Sequence, residues 1–97
     1  MQLQIITGSA GSGKTTQLRA IQDELKDQGT DVVIYHGASC TTPFFINHLC
    51  NQAMAGVTHF LADDCTQFQI KAVTDLKARG IHSGIPSGFV VHLVRQA

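Results

Sequence analysis

The sequence predicts a small three-layer α/β protein in which about four mostly parallel strands lie between helices. Two patterns favour this fold class. Short apolar or β-branched runs alternate with segments whose apolar residues recur every three or four positions. Glycines separate many of these segments. The 97 residues suit one domain, residues 1–97, with ligands expected at the carboxyl ends of its strands.

The first half of the chain reads as strand, helix, strand. Gln2–Thr7 is apolar and runs into glycine, which predicts a buried strand. Apolar residues recur at helical spacing within Lys14–Gln28, and Gly29 is expected to end that helix in a left-handed conformation. Val32–Tyr35 is a continuous run typical of a strand covered on both faces.

A second helix and a third strand are expected next. Thr42 is typical of a helix N-cap and Pro43 of a first helical residue, and an apolar segment continues to Gly56. Val57–Ala62 is the third predicted strand. Two acidic residues follow at the point where that strand should end.

The remaining segment predicts one more helix and one more strand. Thr66 and Gln69 have the spacing of a capping box, and the helix they begin should end near Gly80. Phe89–Val94 is the fourth predicted strand. The sequence leaves the strand order open between 2-3-4-1 and 2-3-1-4.

Charge and cysteine content exclude several classes of protein. Seven basic and seven acidic residues cancel, and only 14% of residues are charged, so no basic surface for nucleic acid is expected. No apolar run approaches the roughly 20 residues that span a bilayer. Cys40, Cys50 and Cys65 lack C-x-x-C spacing and are not a disulfide framework. We therefore expect a cytoplasmic protein without a membrane partner.

The segment from residue 8 to residue 15 matches G-x-x-x-x-G-K-[ST] between a predicted strand and a predicted helix, the pattern called Walker A. Glycines let the backbone wrap closely around phosphate, and the helix N-terminus adds positive potential. Lys14 is expected beside the β and γ phosphates, Thr15 on Mg²⁺ and Thr16 near the α phosphate. A turn that merely joined strand to helix would leave these side chains unexplained. The residues expected to bind nucleotide are Gly8, Ser9, Ala10, Gly11, Ser12, Gly13, Lys14, Thr15 and Thr16.

The stretch His59-Phe60-Leu61-Ala62-Asp63-Asp64 resembles the Walker B pattern, in which an apolar strand delivers an acid to Mg²⁺. Asp63 occupies the metal-binding position, since a hard cation prefers oxygen ligands. Asp64 is placed to orient an attacking water or a substrate hydroxyl. The alternative is that both acids begin a loop or cap the next helix.

Together these stretches resemble the P-loop nucleoside triphosphatases, specifically the RecA-like division that carries an additional catalytic acid. The segment Asp63-Asp64-Cys65-Thr66-Gln67-Phe68 is also similar to the corresponding stretch of thymidine kinases. The resemblance implies that Lys14 and Asp64 are catalytic, although the family commonly has Glu at the second acid. It further implies a polar γ-phosphate sensor on the strand beside the P-loop strand, for which His92 and Arg95 are candidates.

Other polar residues carry weaker signals. His36 follows the second predicted strand at the functional edge, where it would touch a second substrate or be an ordinary loop histidine. A zinc site is disfavoured because the spacing of the available thiols and imidazoles matches no zinc motif. Those residues are Cys40, His48, Cys50, His59 and Cys65.

The sequence thus predicts a Mg-ATP-binding protein that hydrolyses ATP slowly. ATP is favoured because the guanine-binding tetrapeptide N-K-x-D is absent. A small nucleotide or metabolite kinase is the alternative enzyme, although thymidine kinases continue with a substrate lasso and zinc site where this chain stops. A non-catalytic module that binds a partner in its ATP state is the third reading. Incompletely covered sheet edges would favour self-association or docking to a larger protein.

Overall fold

Four parallel strands and three helices form a three-layer α/β/α arrangement in the computed structural model, as the sequence predicts. The structure describes residues 1–8, 11, 13–79 and 84–96. A 3-10 turn, Gly37–Ser39, follows the second strand. In chain order the elements are β1 (Gln2–Ile6), α1 (Lys14–Asp27), β2 (Ile34–His36), α2 (Thr42–Met54), β3 (His59–Cys65), α3 (Gln67–Ala78) and β4 (Val90–Arg95).

The strand order is β1-β4-β3-β2, which is the 2-3-4-1 order read from the other edge. All three pairings are parallel. Gln2 lies opposite Val90 at one end of the β1–β4 pair, and His36 lies opposite Asp63 in the β2–β3 pair. Parallel pairing brings the carboxyl ends of all four strands to one edge, and β4 separates β1 from β3 there.

Two apolar clusters hold the helices to opposite faces of the sheet. Leu18 and Leu25 of α1 pack with Leu61 and Val94 on one face. On the other face, α2 and α3 pack against Phe60 and the alternate positions of β4. The larger cluster comprises Phe45, Leu49, Ala53, Phe60, Ala62, Cys65, Val73, Leu76, Ile85, Phe89, Val91 and Leu93.

Strand burial differs from the sequence prediction at both edges of the described sheet. β1 is largely exposed, including Ile5, and β2 is only three residues long with Val33 63% exposed beside it. The prediction that both are covered strands was wrong because each pairs on one side only. The β3 boundary was also wrong, since the strand continues through Asp63 and Asp64.

The helices follow the predicted periodicity with small shifts at their ends. Gly29 has the expected left-handed φ of 86°, just beyond α1. The N-cap of α2 is Thr41 rather than Thr42, and its hydroxyl accepts a hydrogen bond from the Phe44 N–H. The capping box of Thr66 and Gln69 is confirmed at α3, whereas Gly80 lies outside the described residues. Within the described ranges, no helix has both the length and the apolarity needed to cross a bilayer.

Candidate functional site

A cavity of about 550 Å³ opens at the carboxyl edge of the sheet. It brings together the glycine-rich loop, the first turn of α1, the end of β2 and the acids of β3. Ser9, Ala10 and Ser12 of the predicted phosphate loop lie outside the described residues. The residues lining the cavity are Gly11, Gly13, Lys14, Thr15, Thr16, His36, Asp63, Asp64, Val94 and Arg95.

The start of α1 presents backbone donors without a side-chain cap. Gly13 is the N-cap residue and has a left-handed φ of 83°, and Gly11 has a φ of 79°. Residues with side chains rarely adopt such angles, so the loop needs glycine at both positions. No side chain caps this helix and no acid lies in its first turn. This end of α1 therefore suits an external anion, which would accept hydrogen bonds from the first amides.

Lys14 connects the loop to the end of β4. Its Nζ donates a hydrogen bond to the carbonyl oxygen of Gly8 at 2.6 Å and another to that of Arg95 at 3.3 Å. Both acceptors are neutral carbonyls. The ammonium charge is thus held at the cavity by dipoles, which leaves it suited to an anionic ligand.

Thr15 and Asp63 meet across the cavity floor. The Thr15 hydroxyl donates to Oδ2 of Asp63 at 2.9 Å, and Oδ1 of the same carboxylate accepts the Asp64 N–H at 2.8 Å. A hydroxyl and a carboxylate suit Mg²⁺, which is commonly held by one or two protein carboxylates together with substrate phosphates. The described residues contain no group of three His, Cys, Asp or Glu poised to hold an ion.

Asp64 reaches the same cavity as Asp63 because β3 is irregular at this point. Side chains of neighbouring residues in a regular strand point to opposite faces. The β3–β4 register shifts between Ala62 and Cys65, and Asp64 has a left-handed φ of 52°. An extra residue with such a backbone angle re-aims a strand side chain. The sequence indicated both acids but not this bulge; the one available signal is that Asp tolerates the left-handed region.

His36 contacts Asp64 directly. Its Nε2 lies 3.1 Å from Oδ2 of Asp64, and its Nδ1 lies 2.9 Å from Oγ of Ser39. The sequence left two interpretations of His36 open, contact with a second substrate or an ordinary loop position, and in the structure it contacts a protein carboxylate. Ser39 was missed because its position depends on the 3-10 turn after β2.

Gln69 holds that turn in place. Its Nε2 donates to the carbonyl oxygens of Gly37, at 2.7 Å, and Cys40, at 3.1 Å, while Oε1 accepts the Thr66 N–H. The side chain is almost fully buried. A Cβ on Gly37 would lie 2.9 Å from Cα of Cys65 and closer still to Oε1 of Gln69. The sequence revealed the capping box but not this second role.

The two candidate phosphate sensors on β4 lie in different environments. Arg95 lines the cavity, whereas His92 is not among the described lining residues. Nδ1 of His92 lies 2.7 Å from Oε1 of Gln4, and its ring stacks on His59 with centroids 5.8 Å apart. Burial, and then the neighbouring His59, lower the pKa of His92. Of this pair, Arg95 is therefore the candidate that lines the cavity.

The three cysteines are free thiols in different surroundings. Cys65 is buried, and burial, followed by the charge of Asp63, raises its pKa to about 12. Cys65 therefore stays protonated and does not act as a nucleophile or thiolate ligand at neutral pH. Cys40 and Cys50 are half-buried.

Comparison with known proteins gives no further guide to this site. No protein-family model matches the chain. Searches of curated proteins and of solved structures likewise find no match.

Proposed function

We propose that this protein binds Mg-ATP in the carboxyl-edge cavity and hydrolyses it slowly to ADP and phosphate. The observation that carries the proposal is the 2.9 Å hydrogen bond between Thr15 and Asp63. The residue after the loop lysine and an acid on β3 thereby form one cluster of oxygen atoms. The adjacent cluster of Lys14 and backbone donors supplies the opposite charge.

Five side chains of the cavity have roles in this proposal. Lys14 and the amides at the start of α1 bind the phosphates of the substrate. Thr15 and Asp63 hold Mg²⁺, which supplies charge neutralisation on the phosphate oxygens. Asp64 orients a water whose oxygen bonds to the γ phosphorus as the bond to the β–γ bridging oxygen breaks; the proton of the water passes to the Asp64 carboxylate, and ADP leaves with the bridging oxygen. Arg95 stabilises the charge that develops on the transferred group.

The strand order supports the RecA-like interpretation, because the order 2-3-4-1 fits the division with an additional catalytic acid, whereas 2-3-1-4 would fit nucleotide kinases. β4 lies between β1 and β3, so a residue at the end of β4 lies between the phosphate loop and the acids. Arg95 occupies that position and lines the cavity. ATP remains the proposed nucleotide because the sequence has no N-K-x-D tetrapeptide.

Calorimetry of the purified full chain with ATP and Mg²⁺, combined with a phosphate-release assay, tests this proposal. Lys14→Ala should weaken Mg-ATP binding by at least about tenfold, roughly 1.4 kcal/mol. Lys26→Ala is the matched control, because Lys26 is an exposed lysine in the last turn of the same helix. Absence of Mg-ATP binding by the folded wild-type protein would refute the proposal, as would equal effects of the two substitutions.

A metabolite kinase is the second candidate, favoured by a neighbouring cavity of about 370 Å³. Arg95 lines both cavities, and the exposed ring of Phe68 lines the second. An acceptor bound there would lie next to the proposed γ-phosphate position. Transfer of label from γ-labelled ATP to one acceptor, in place of water, would select this function.

A role in an assembly is the remaining part of the proposal. β1 and β2 are the edges of the described sheet, and Phe44 and Met54 are exposed apolar side chains. Unpaired edges and apolar surface promote association. Sedimentation with and without Mg-ATP tests it: a concentration-dependent complex supports self-association, and a monomer at high concentration contradicts it.

Nucleotide binding without turnover, together with ATP-dependent capture of a defined partner, would select the non-catalytic module.

A further inference from the structure

We infer that His36 is a positioning residue that holds the Asp64 carboxylate in place to orient the attacking water. This inference rests on the proposed function, because it assigns a role within the same cavity. It adds a residue on β2 to a site otherwise built from the phosphate loop, β3 and β4. It also assigns a role to the exposed Ser39 hydroxyl, which contacts the His36 ring.

The contact itself defines the donor and the acceptor. The Asp64 carboxylate can only accept, so the hydrogen lies on Nε2 of His36, 3.1 Å from Oδ2. In the neutral ring Nδ1 then accepts from the Ser39 hydroxyl at 2.9 Å. Both ring nitrogens are used, which fixes the plane of the imidazole. Because the contact is made through Oδ2, the other carboxylate oxygen of Asp64 is left for a water.

Asp64 needs such a partner because its backbone alone does not fix its side chain. The left-handed φ of 52° turns Asp64 towards the cavity. Its side chain is still 35% exposed, so packing does not enclose it completely. A hydrogen bond from a ring held at both nitrogens restricts the carboxylate to one orientation.

The 3-10 turn that carries Ser39 is held in place by hydrogen bonds from α3. Gln69, which is 1% exposed, donates to the carbonyls of Gly37, the first residue of the turn, and of Cys40, the residue that follows it. Gly37 approaches Cys65 so closely that no side chain fits. The turn that carries Ser39 is therefore fixed to the beginning of α3 and to the residue after Asp64. A supporting shell of this kind is what keeps a catalytic group in its productive geometry.

The experiment compares His36→Ala with His36→Gln in the full-length chain. The Gln amide nitrogen can replace Nε2 as donor, whereas Ala has none. We expect His36→Ala to lower kcat about tenfold while the Mg-ATP dissociation constant stays within about twofold, because misplacing a catalytic group mainly affects the reaction step. His36→Gln should restore most of kcat.

A double-mutant cycle with Asp64→Asn identifies the route of the effect. If His36 acts through Asp64, His36→Ala should have little further effect on kcat once Asp64 is changed. Lys71→Ala is the control, since Lys71 and Asp75 form an exposed pair at 3.0 Å on α3, away from the cavity-lining residues. Normal kcat in His36→Ala, or additive effects with Asp64→Asn, would overturn the inference.

A measurement without nucleotide separates this inference from the proposed function. ¹⁵N NMR at a fixed neutral pH should show the His36 ring with hydrogen on Nε2, and Asp64→Asn should shift that signal while leaving the His48 signal in place. An unchanged His36 signal would overturn the positioning role even in an active enzyme. If wild type shows no turnover, the proposed hydrolysis and the role of His36 in it both fail, whereas the NMR result still decides whether the contact exists.

Discussion

The Thr15 hydroxyl donates to Oδ2 of Asp63 at 2.9 Å, joining two residues that are 48 positions apart in the sequence. α1 carries the donor and β3 carries the acceptor, so the bond connects the first helix to the strand two places away from β1. The bond also fixes the carboxylate, whose other oxygen accepts the Asp64 N–H. We propose that these two oxygen-bearing side chains receive a divalent cation together with its phosphates.

Replacing Thr15 by Val should abolish most of the advantage that Mg²⁺ gives to ATP binding. Val has the same shape but no hydroxyl, so the proposed metal loses one ligand. We expect Mg-ATP binding to weaken by about tenfold, or roughly 1.4 kcal/mol, with little change in metal-free ATP binding. Titration calorimetry with Mg²⁺ or with a chelator measures this, and Thr15→Ser should behave as wild type. Equal Mg²⁺ dependence in Thr15→Val would contradict the assignment.

The left-handed backbone of Asp64 should affect the free energy of unfolding of variants at this position. Ala at a positive φ is strained and Gly is not, so Asp64→Gly should exceed Asp64→Ala in free energy of unfolding by about 1 kcal/mol. At Gln2, an exposed position in the extended strand β1, the preference should reverse. Urea denaturation of the four variants measures both differences. An Asp64→Ala protein as stable as Asp64→Gly would argue against the bulge.

Gln69→Glu should destabilise the fold by at least about 2 kcal/mol. Glu keeps an oxygen to accept the Thr66 N–H but removes the donor that satisfies the Gly37 and Cys40 carbonyls, and unsatisfied buried groups are costly. Gln67→Glu tests the same chemical change at an exposed position in the first turn of α3, where a negative charge is tolerated. Thermal or urea unfolding compares them. Equal stability of the two variants would contradict the stabilising role of the hydrogen bonds that Gln69 donates to Gly37 and Cys40.

His92 should make stability fall as the solution becomes acidic. Its folded-state pKa is lowered, first by burial and then by His59, so the unfolded chain binds the proton more readily. The contribution of neutral His92 is therefore complete above the unfolded pKa of about 6.5 and is lost as pH falls towards the folded value. His92→Asn keeps a donor for Gln4 but cannot titrate. The stability of wild type relative to this variant should decrease below about pH 6.5 in denaturant titrations; a constant difference would refute the prediction.

Local patterns predicted the elements of the fold, because they depend on neighbouring residues. The capping box of Thr66 and Gln69 and the left-handed Gly29 are examples that the structure confirms. Burial of β1 and β2 was predicted wrongly, because being an edge strand is a property of the whole sheet. An apolar run such as Val32–Tyr35 does not reveal how many neighbours its strand has.

The candidate site likewise contains some residues that local sequence predicts and some contacts that it does not. The glycine loop with Lys14 and Thr15 was found from a contiguous pattern, and the two acids from their place after an apolar run. The contact of His36 with Asp64 depends on a bulge in β3 and on a turn fixed by Gln69. Such relations join segments about 30 residues apart and have no local signature. The nucleotide and metal assignments stay predictions until binding is measured.

The pairing of β1 with β4 has a consequence for the order in which the protein assembles. During synthesis on the ribosome, the first strand emerges early but finds its only described neighbour some 88 residues later. Until β4 has been made, β1 therefore lacks the strand with which it pairs in the described sheet. Nascent chains halted before Val90 should therefore be sensitive to protease in β1, even where later helices have begun to form.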